Sequence, residues 1–358
     1  LLNRSLRKLL VSTNLYNICA GIYVIALFLY ALNLGFRKIR LRKISTTLVA
    51  LGFLTQTLGM AFRWIEAGYI ELEAYTQSTG EELSGVAYWQ VLTQHPPWSN
   101  LYEIMVYMSW GLVLVFLVCE VKWRARFIGI FALLLALTAL GVASLTSGQI
   151  KPLVPALKSW WIMIHVISAS IAYAAGTIGA VASFLYLLKA EDKVNSKKVF
   201  AGTVITSILI SLLSLKGGSF NLWNESLMGV MLFACLFAGA VLLFPIKLRA
   251  LLPKAEQLDH IAYSNILVAF ALVAVVLVTG ALWAHYAWGR YWGWDPKETG
   301  ALVIWITYAL YLHTRITYGW VGPKSAVIAV FGFFVIIAGF LGVNLGWFAD
   351  GLHSYGRS

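Results

Sequence analysis

IAYSNILVAFALVAVVLVTGALWA, residues 261–284, holds no Asp, Glu, Lys, Arg or His. Wound as a helix at ~1.5 Å per residue, such a run reaches roughly 36 Å, more than the ~30 Å hydrocarbon core of a bilayer. It is not isolated. Comparable apolar stretches cover 16–36, 45–62, 101–119, 127–147, 160–188, 199–215, 226–246, 300–313 and 326–347, so the pattern predicts about ten crossings. Composition agrees, since 60% of the 358 residues are hydrophobic and 12% charged, about half the charged share of a soluble chain. Too few polar groups remain to cover a water-facing surface, and disordered or fibrous classes fail on the same ground. The expected fold class is all-α, a polytopic transmembrane helix bundle forming one integral membrane domain over residues 1–358. No internal repeat is evident, which removes the main support for an inverted-repeat transporter.

The net charge of +12 does not indicate nucleic acid, because the cations form no basic stripe or reader motif. They sit in short clusters between apolar runs. One set of alternate connections holds Arg37, Lys38, Arg40, Arg42 and Lys43, then Lys122, Arg124 and Arg126, then Lys189, Lys193, Lys197 and Lys198. Lys247, Arg249, Lys254, Arg315 and Lys324 complete it, seventeen of the 27 Lys and Arg. The positive-inside rule places this set on the cytoplasmic side and both termini outside. The outer side then carries the acidic connection 63–100, with Glu66, Glu71, Glu73, Glu81 and Glu82, and the tryptophan-rich connection 283–299. Cys19, Cys119 and Cys235 stand singly in apolar runs, so the chain has neither a disulfide framework nor a redox Cys-x-x-Cys motif.

Trp283-Ala-His-Tyr-Ala-Trp-Gly-Arg-Tyr-Trp-Gly-Trp-Asp-Pro-Lys-Glu-Thr299 is the most informative segment for chemistry. Trp283, Trp288, Trp292 and Trp294 fall within twelve residues. An interfacial belt places indoles at headgroup depth and accounts for Trp98, Trp160 and Trp161. In this segment the indoles are broken by Gly289 and Gly293, which permit close backbone approach. Flat apolar indole faces suit a flat partner. A shelf for a large planar ligand and a plain aromatic belt weigh evenly on these residues alone. Asp295 also suits the N-cap of a helix whose first turn holds Pro296, a role compatible with either.

An ionisable side chain inside a membrane helix is a functional candidate by default. His165 stands ~9 Å along its helix from the outer start, and His353 falls a few residues past the last span, so both reach the outer face. Two neutral imidazoles on opposite sides of a planar macrocycle are an established way to hold haem iron. Against this stand a packing role for His165, above the small-residue face Ala169, Ala172, Gly176, Gly179 and Ser183, and plain solvation for His353. His313 lies ~20 Å deep, where this chain offers no second imidazole. A metal there needs a ligand from another subunit; the competing reading is an interhelical hydrogen bond or a snorkel beside Arg315. His285 and His95, the latter in His95-Pro-Pro-Trp-Ser-Asn-Leu-Tyr-Glu103, are further outer candidates.

Trp288-Gly-Arg-Tyr-Trp-Gly-Trp-Asp-Pro-Lys-Glu-Thr299 resembles the WWD signature of cytochrome c biogenesis proteins of the CcsA (ResC) type. Other pieces agree in order along the chain. They are Ser99-Asn-Leu-Tyr-Glu103, Pro152-Leu-Val-Pro-Ala-Leu157 with Ser159-Trp-Trp and His165-Val166, Leu258-Asp-His260, Tyr311-Leu-His-Thr-Arg315, and Gly342-Val-Asn-Leu345 through Gly351-Leu-His-Ser-Tyr-Gly356. The resemblance implies a haem-handling subunit of a membrane cytochrome c synthetase (system II), in a bacterial inner (plasma) membrane or a thylakoid membrane. With a CcsB (ResB)-type membrane subunit it would deliver haem b to the periplasmic or lumenal face. There it would attach haem through thioether bonds to the Cys-x-x-Cys-His motif of apocytochrome c, with a thiol-reducing partner.

The same resemblance implies His165 and His353 as outer axial ligands, and His313 as an intramembrane ligand whose second ligand comes from the CcsB-type subunit. It also implies Trp288, Trp292, Trp294 and Asp295 as the haem-binding face, and it names no catalytic residue. The alternative is a haem exporter without attachment activity, and a structural subunit of a respiratory complex is a further rival. The pair 199–215 and 226–246 departs from the pattern, adding two helices to the eight associated with plastid relatives.

Overall fold

A computed structural model describes residues 11–36, 39–190 and 251–344. Among them every regular element is helical. The order is α1 (Val11–Phe36), α2 (Ile39–Thr79), α3 (Gly85–Thr93), α4 (Leu101–Trp123), α5 (Ile128–Ser144), a 3-10 turn at Pro155–Leu157, α6 (Trp160–Ala190), α7 (Ala255–Trp288), α8 (Pro296–Thr317) and α9 (Pro323–Asn344). Six of these, α1, α2, α4, α6, α7 and α9, are long and apolar enough to cross a membrane. The apolar α5 is shorter at 17 residues, and the 22-residue α8 carries Lys297, Glu298, His313 and Arg315. The expected crossings at 199–215 and 226–246, both chain ends and His353 lie outside the described residues.

The bundle is organised around α6, which packs on α4, α7 and α9. Its sequence explains why it can take so many neighbours. Ala172, Ala175, Gly176, Gly179, Ala182 and Ser183 are buried, and small side chains let helix backbones approach closely where hydrophobic burial gives no drive between helices. The approach is tight enough that a Cβ on Gly179 would meet Ile266 of α7 at 2.9 Å, and one on Gly176 would meet the Tyr308 hydroxyl of α8 at 2.1 Å. The small-residue face expected below His165 is therefore a true packing seam.

An antiparallel pair, α1 and α2, flanks this centre, α1 resting on α5 and α2 on α4. Polar side chains join the layers. Tyr23 donates to Gln56 Oε1 at 2.9 Å, Gln56 Nε2 donates to the Val106 carbonyl of α4 at 3.1 Å, and Tyr30 donates to Glu120 at 2.6 Å.

Two segments expected as connections are largely helical. The acidic stretch 63–100 continues α2 to Thr79 and then forms α3. At 41 residues, α2 is roughly 60 Å long, about twice the hydrocarbon thickness. Charges end an apolar run without ending a helix, because Glu, Ala and Leu are all good helix formers. The helix stops at Gly80, which takes φ +74° and donates its N–H to the Thr76 carbonyl at 2.9 Å, a left-handed C-terminal cap. In the same way α7 runs through Trp283, His285 and Trp288 and is capped by Gly289 at φ +73°. The tryptophan-rich connection is thereby reduced to 289–295.

Candidate functional site

A cavity opens where the N-terminal part of α6, the C-terminal part of α7 and the start of α8 converge, and His165 is part of its wall. The imidazole is positioned from α7. His165 Nδ1 lies 2.9 Å from the Val276 carbonyl oxygen, which can only accept, so Nδ1 carries a hydrogen, and in a neutral ring the lone pair is then on Nε2. One helical turn on, Gly280 leaves the ring its space. A Cβ there would stand 2.9 Å from His165 Cε1. Trp283, a further turn along the same face, also lines the cavity. It is 2% exposed, and its Nε1 donates to the Ala156 carbonyl at 2.8 Å. That bond fastens the 3-10 turn, whose Leu157 forms part of the same wall.

The connection 289–295 folds over the cavity and contributes Tyr291 and Trp292 to it. Tyr291 stacks on His285 with ring centroids 4.2 Å apart and planes 8° from parallel. Trp292 meets Trp294 edge to face at 5.6 Å. Trp294 itself has φ +58°, a left-handed conformation that a bulky side chain adopts only when its surroundings impose it. Those surroundings are the N-terminal cap of α8. Asp295 accepts from the Lys297 N–H at 3.0 Å, while Glu298 Oε2 accepts from the N–H groups of Gly293 at 2.7 Å and Asp295 at 3.1 Å. The two carboxylates satisfy orphan donors and close a capping box. A Cβ on Gly293 would lie 1.4 Å from Arg290 Nη1, the far end of a flexible side chain that would have to move aside.

Two buried ionic clusters hold the segments that frame the cavity. Arg63 of α2 donates through Nε to Glu103 Oε1 at 3.0 Å and through Nη2 to the Gly148 carbonyl at 2.6 Å. Glu103 Oε2 accepts from the Ser99 N–H at 2.8 Å, and Ser99 and Leu101 line the cavity. In the second cluster Glu71 accepts from the Leu153 N–H and from Lys158 Nζ at 2.9 Å. The buried His95 imidazole stands with Nδ1 3.0 Å from Glu71 Oε1.

The predicted site residues separate into groups. His165 and Trp292 share the cavity. Trp288 packs against Trp283 at 4.8 Å, Asp295 is the buried cap of α8, and Trp294 is 70% exposed; none of these three is among the cavity-lining residues. His313 is apart from them, exposed on a face of α8 with Val303, Ile306, Leu310 and Ile316. Its Nδ1 is 3.3 Å from the Thr317 hydroxyl. His285 and His95 hold ring and carboxylate partners outside the cavity wall. Sequence reasoning did not find Val276 and Gly280, whose importance depends on an interhelical contact that periodicity does not encode. It gave Trp98 to a belt and assigned Glu298 no role of its own, although both line the cavity.

Fold and cavity together define a polytopic helical membrane protein with an aromatic, histidine-bearing pocket at the end of the bundle where α7 turns into α8. Residues 98–349 match the family described as Cytochrome C assembly protein. The chain is 33% identical over 358 residues to the cytochrome c biogenesis protein CcsA of Pyropia yezoensis, covering 97% of this chain and 98% of that one. It is 40% identical over 276 residues to CcsA of Prochlorococcus marinus (strain NATL2A), covering 75% and 78% respectively. The chain belongs to the CcsA family of cytochrome c biogenesis proteins. A solved structure described as the cytochrome c heme lyase CcmF has a TM-score of 0.52 at 14% identity, covering 93% of this chain and 50% of that one. At that identity the likeness concerns the fold.

Proposed function

We propose that this chain binds haem b in the outer cavity and, with a CcsB-type subunit, attaches it to apocytochrome c. The observation that carries the reading is the setting of His165, whose Nδ1 is committed to the Val276 carbonyl and whose ring borders a cavity walled by Tyr291 and Trp292. A backbone acceptor on one ring nitrogen fixes the tautomer and raises the basicity of the other, as in protein metal sites generally. Aromatic faces suit a porphyrin plane. An imidazole beside aromatic faces suits haem, which His165 and His353 would hold through their ring nitrogens. Haem would supply the iron to be ligated and the vinyl groups to which the cysteine thiols add.

The protein's part is to bind, orient and shield. Tyr291 and Trp292 restrict access to the pocket, and the capping carboxylates of Asp295 and Glu298 hold that connection in place. His313 would serve a second haem position within the membrane, from which haem moves outward. Its exposure on an apolar helix face supports a second ligand supplied by the CcsB-type subunit. Apocytochrome c and a thiol-reducing protein complete the partner set, in a plasma or thylakoid membrane with the cavity on the periplasmic or lumenal side.

The complex purified from haem-replete cells is expected to show a Soret band that weakens in His165→Ala and recovers with added imidazole. An unchanged spectrum in that variant overturns the assignment. Co-expression with an apocytochrome separates the synthetase from an exporter, because only the synthetase yields haem that stays on the polypeptide after acid–acetone extraction.

A further inference from the structure

Glu298 sits in the first turn of α8 and lines the same cavity as His165. Its Oε2 is fully engaged by the Gly293 and Asp295 N–H groups. Its Oε1 is buried and has no hydrogen-bond partner among the described residues. Buried polar atoms are almost always paired, and an exception calls for an explanation. Capping does not provide one, because the other oxygen already performs it. The unpaired oxygen suits a hydrogen-bond donor that arrives with a substrate.

We propose that Glu298 Oε1 accepts the proton of the apocytochrome cysteine thiol, an inference that rests on the attachment reading above. Cysteine reacts as its thiolate, and a positioned base contributes ~10²–10⁴-fold to such a step. The thiol proton passes to Oε1, and the sulfur forms a C–S bond with the vinyl carbon next to the porphyrin ring. Glu298 then returns the proton to the terminal vinyl carbon, which becomes a methyl group. The C=C bond is consumed, nothing is oxidised or reduced, and the carboxylate is regenerated. The ionisable groups around it are Lys297, Tyr291 and His165 in the cavity wall, Asp295 at the cap and Arg290, whose guanidinium lies against Gly293.

Glu298→Gln tests the step, because the amide oxygen can still accept from Gly293 and Asp295 but takes up no proton. The variant complex is expected to keep its Soret band. Thioether formation at pH 7 falls about 100-fold, and the deficit shrinks to less than about 10-fold at pH 9, where thiols with pKa ~8.5 ionise unaided. Glu298→Asp, a base on a shorter arm, retains part of the pH 7 rate. Attachment within twofold of wild type at pH 7, or a deficit of equal size at both pH values, overturns the proposal. So does loss of the Soret band, which would make Oε1 a contact to haem itself or a purely structural acceptor. A wild-type complex that binds haem yet forms no thioether product overturns the attachment reading instead.

Discussion

The imidazole of His165 lies against Gly280, where a Cβ would stand 2.9 Å from Cε1 and 3.0 Å from Nδ1. The Val276 carbonyl that holds the ring is one turn earlier on the same helix, 2.9 Å from Nδ1. Residues four apart share a helix face, so one stripe of α7 gives the ring both its anchor and its clearance.

Gly280→Ala therefore pulls stability and haem binding in opposite directions. Alanine favours the helix by about 1 kcal/mol over glycine, yet its methyl group pushes the imidazole off the Val276 carbonyl. Losing such a supporting contact lowers affinity roughly 10- to 100-fold at metal sites. Haem titration of the purified complex should show the weakening while the thermal unfolding midpoint stays level or rises. Undiminished haem affinity would mean that His165 is not held for ligation.

The connection 289–295 offers a compensating pair. A methyl group on Gly293 would fall 1.4 Å from Arg290 Nη1, so Gly293→Ala displaces the guanidinium in the connection that carries Trp292 and is expected to lower haem occupancy. The arginine is the flexible party, and Gly293→Ala combined with Arg290→Ala should recover most of the haem occupancy lost by the single change. A double variant as defective as Gly293→Ala would place the requirement in the backbone rather than in the arginine.

Trp283 looks from its sequence context like a roof residue, and it is an anchor. Trp283→Phe keeps an aromatic ring but leaves the Ala156 carbonyl without its 2.8 Å donor. A fully buried unmet acceptor costs about 1–3 kcal/mol, and this half-buried one is expected at the lower end. The detergent-solubilised protein should melt a few degrees lower, with greater proteolytic sensitivity around residues 150–158. An unchanged melting point together with unchanged proteolysis would show that the 3-10 turn is held by other contacts.

The membrane-bundle class was legible because charge depletion and run length are properties of the chain itself. The small-residue seam of α6 was legible for the same reason: Gly176 and Gly179 state how closely a neighbour can approach. The ends of α2 and α7 were not, because a membrane helix need not stop where the hydrocarbon does. Only Gly80 and Gly289, each at positive φ, mark the true ends, and a glycine looks the same in a sequence whether it caps a helix or lies within one. His165 stood out as an ionisable group among apolar ones. Its partner on α7 did not, since Val276 contributes a backbone carbonyl that any residue would supply. The second oxygen of Glu298 was hidden because a sequence does not show which carboxylate oxygen the helix cap uses and which one it leaves facing the cavity.

The ion pair between Arg63 and Glu103 is suited to a double-mutant cycle. Both side chains are 1% exposed, and removing one partner from a buried pair leaves an uncompensated charge that costs roughly 3–5 kcal/mol. Arg63→Met should accordingly lower the melting point of the solubilised protein by several degrees. Glu103→Gln retains an oxygen for the Ser99 N–H while removing the charge, so Arg63→Met with Glu103→Gln should be more stable than Arg63→Met alone. A coupling of about 0.5–3 kcal/mol is expected for residues in contact. Because Glu103 also fixes Ser99, Arg63→Met should release haem faster even where the protein remains folded, and the double variant should not repair this loss, since Gly148 stays without its 2.6 Å donor. Strict additivity in stability would reduce the pair to two independent packing residues and leave the cavity rim without its ionic latch.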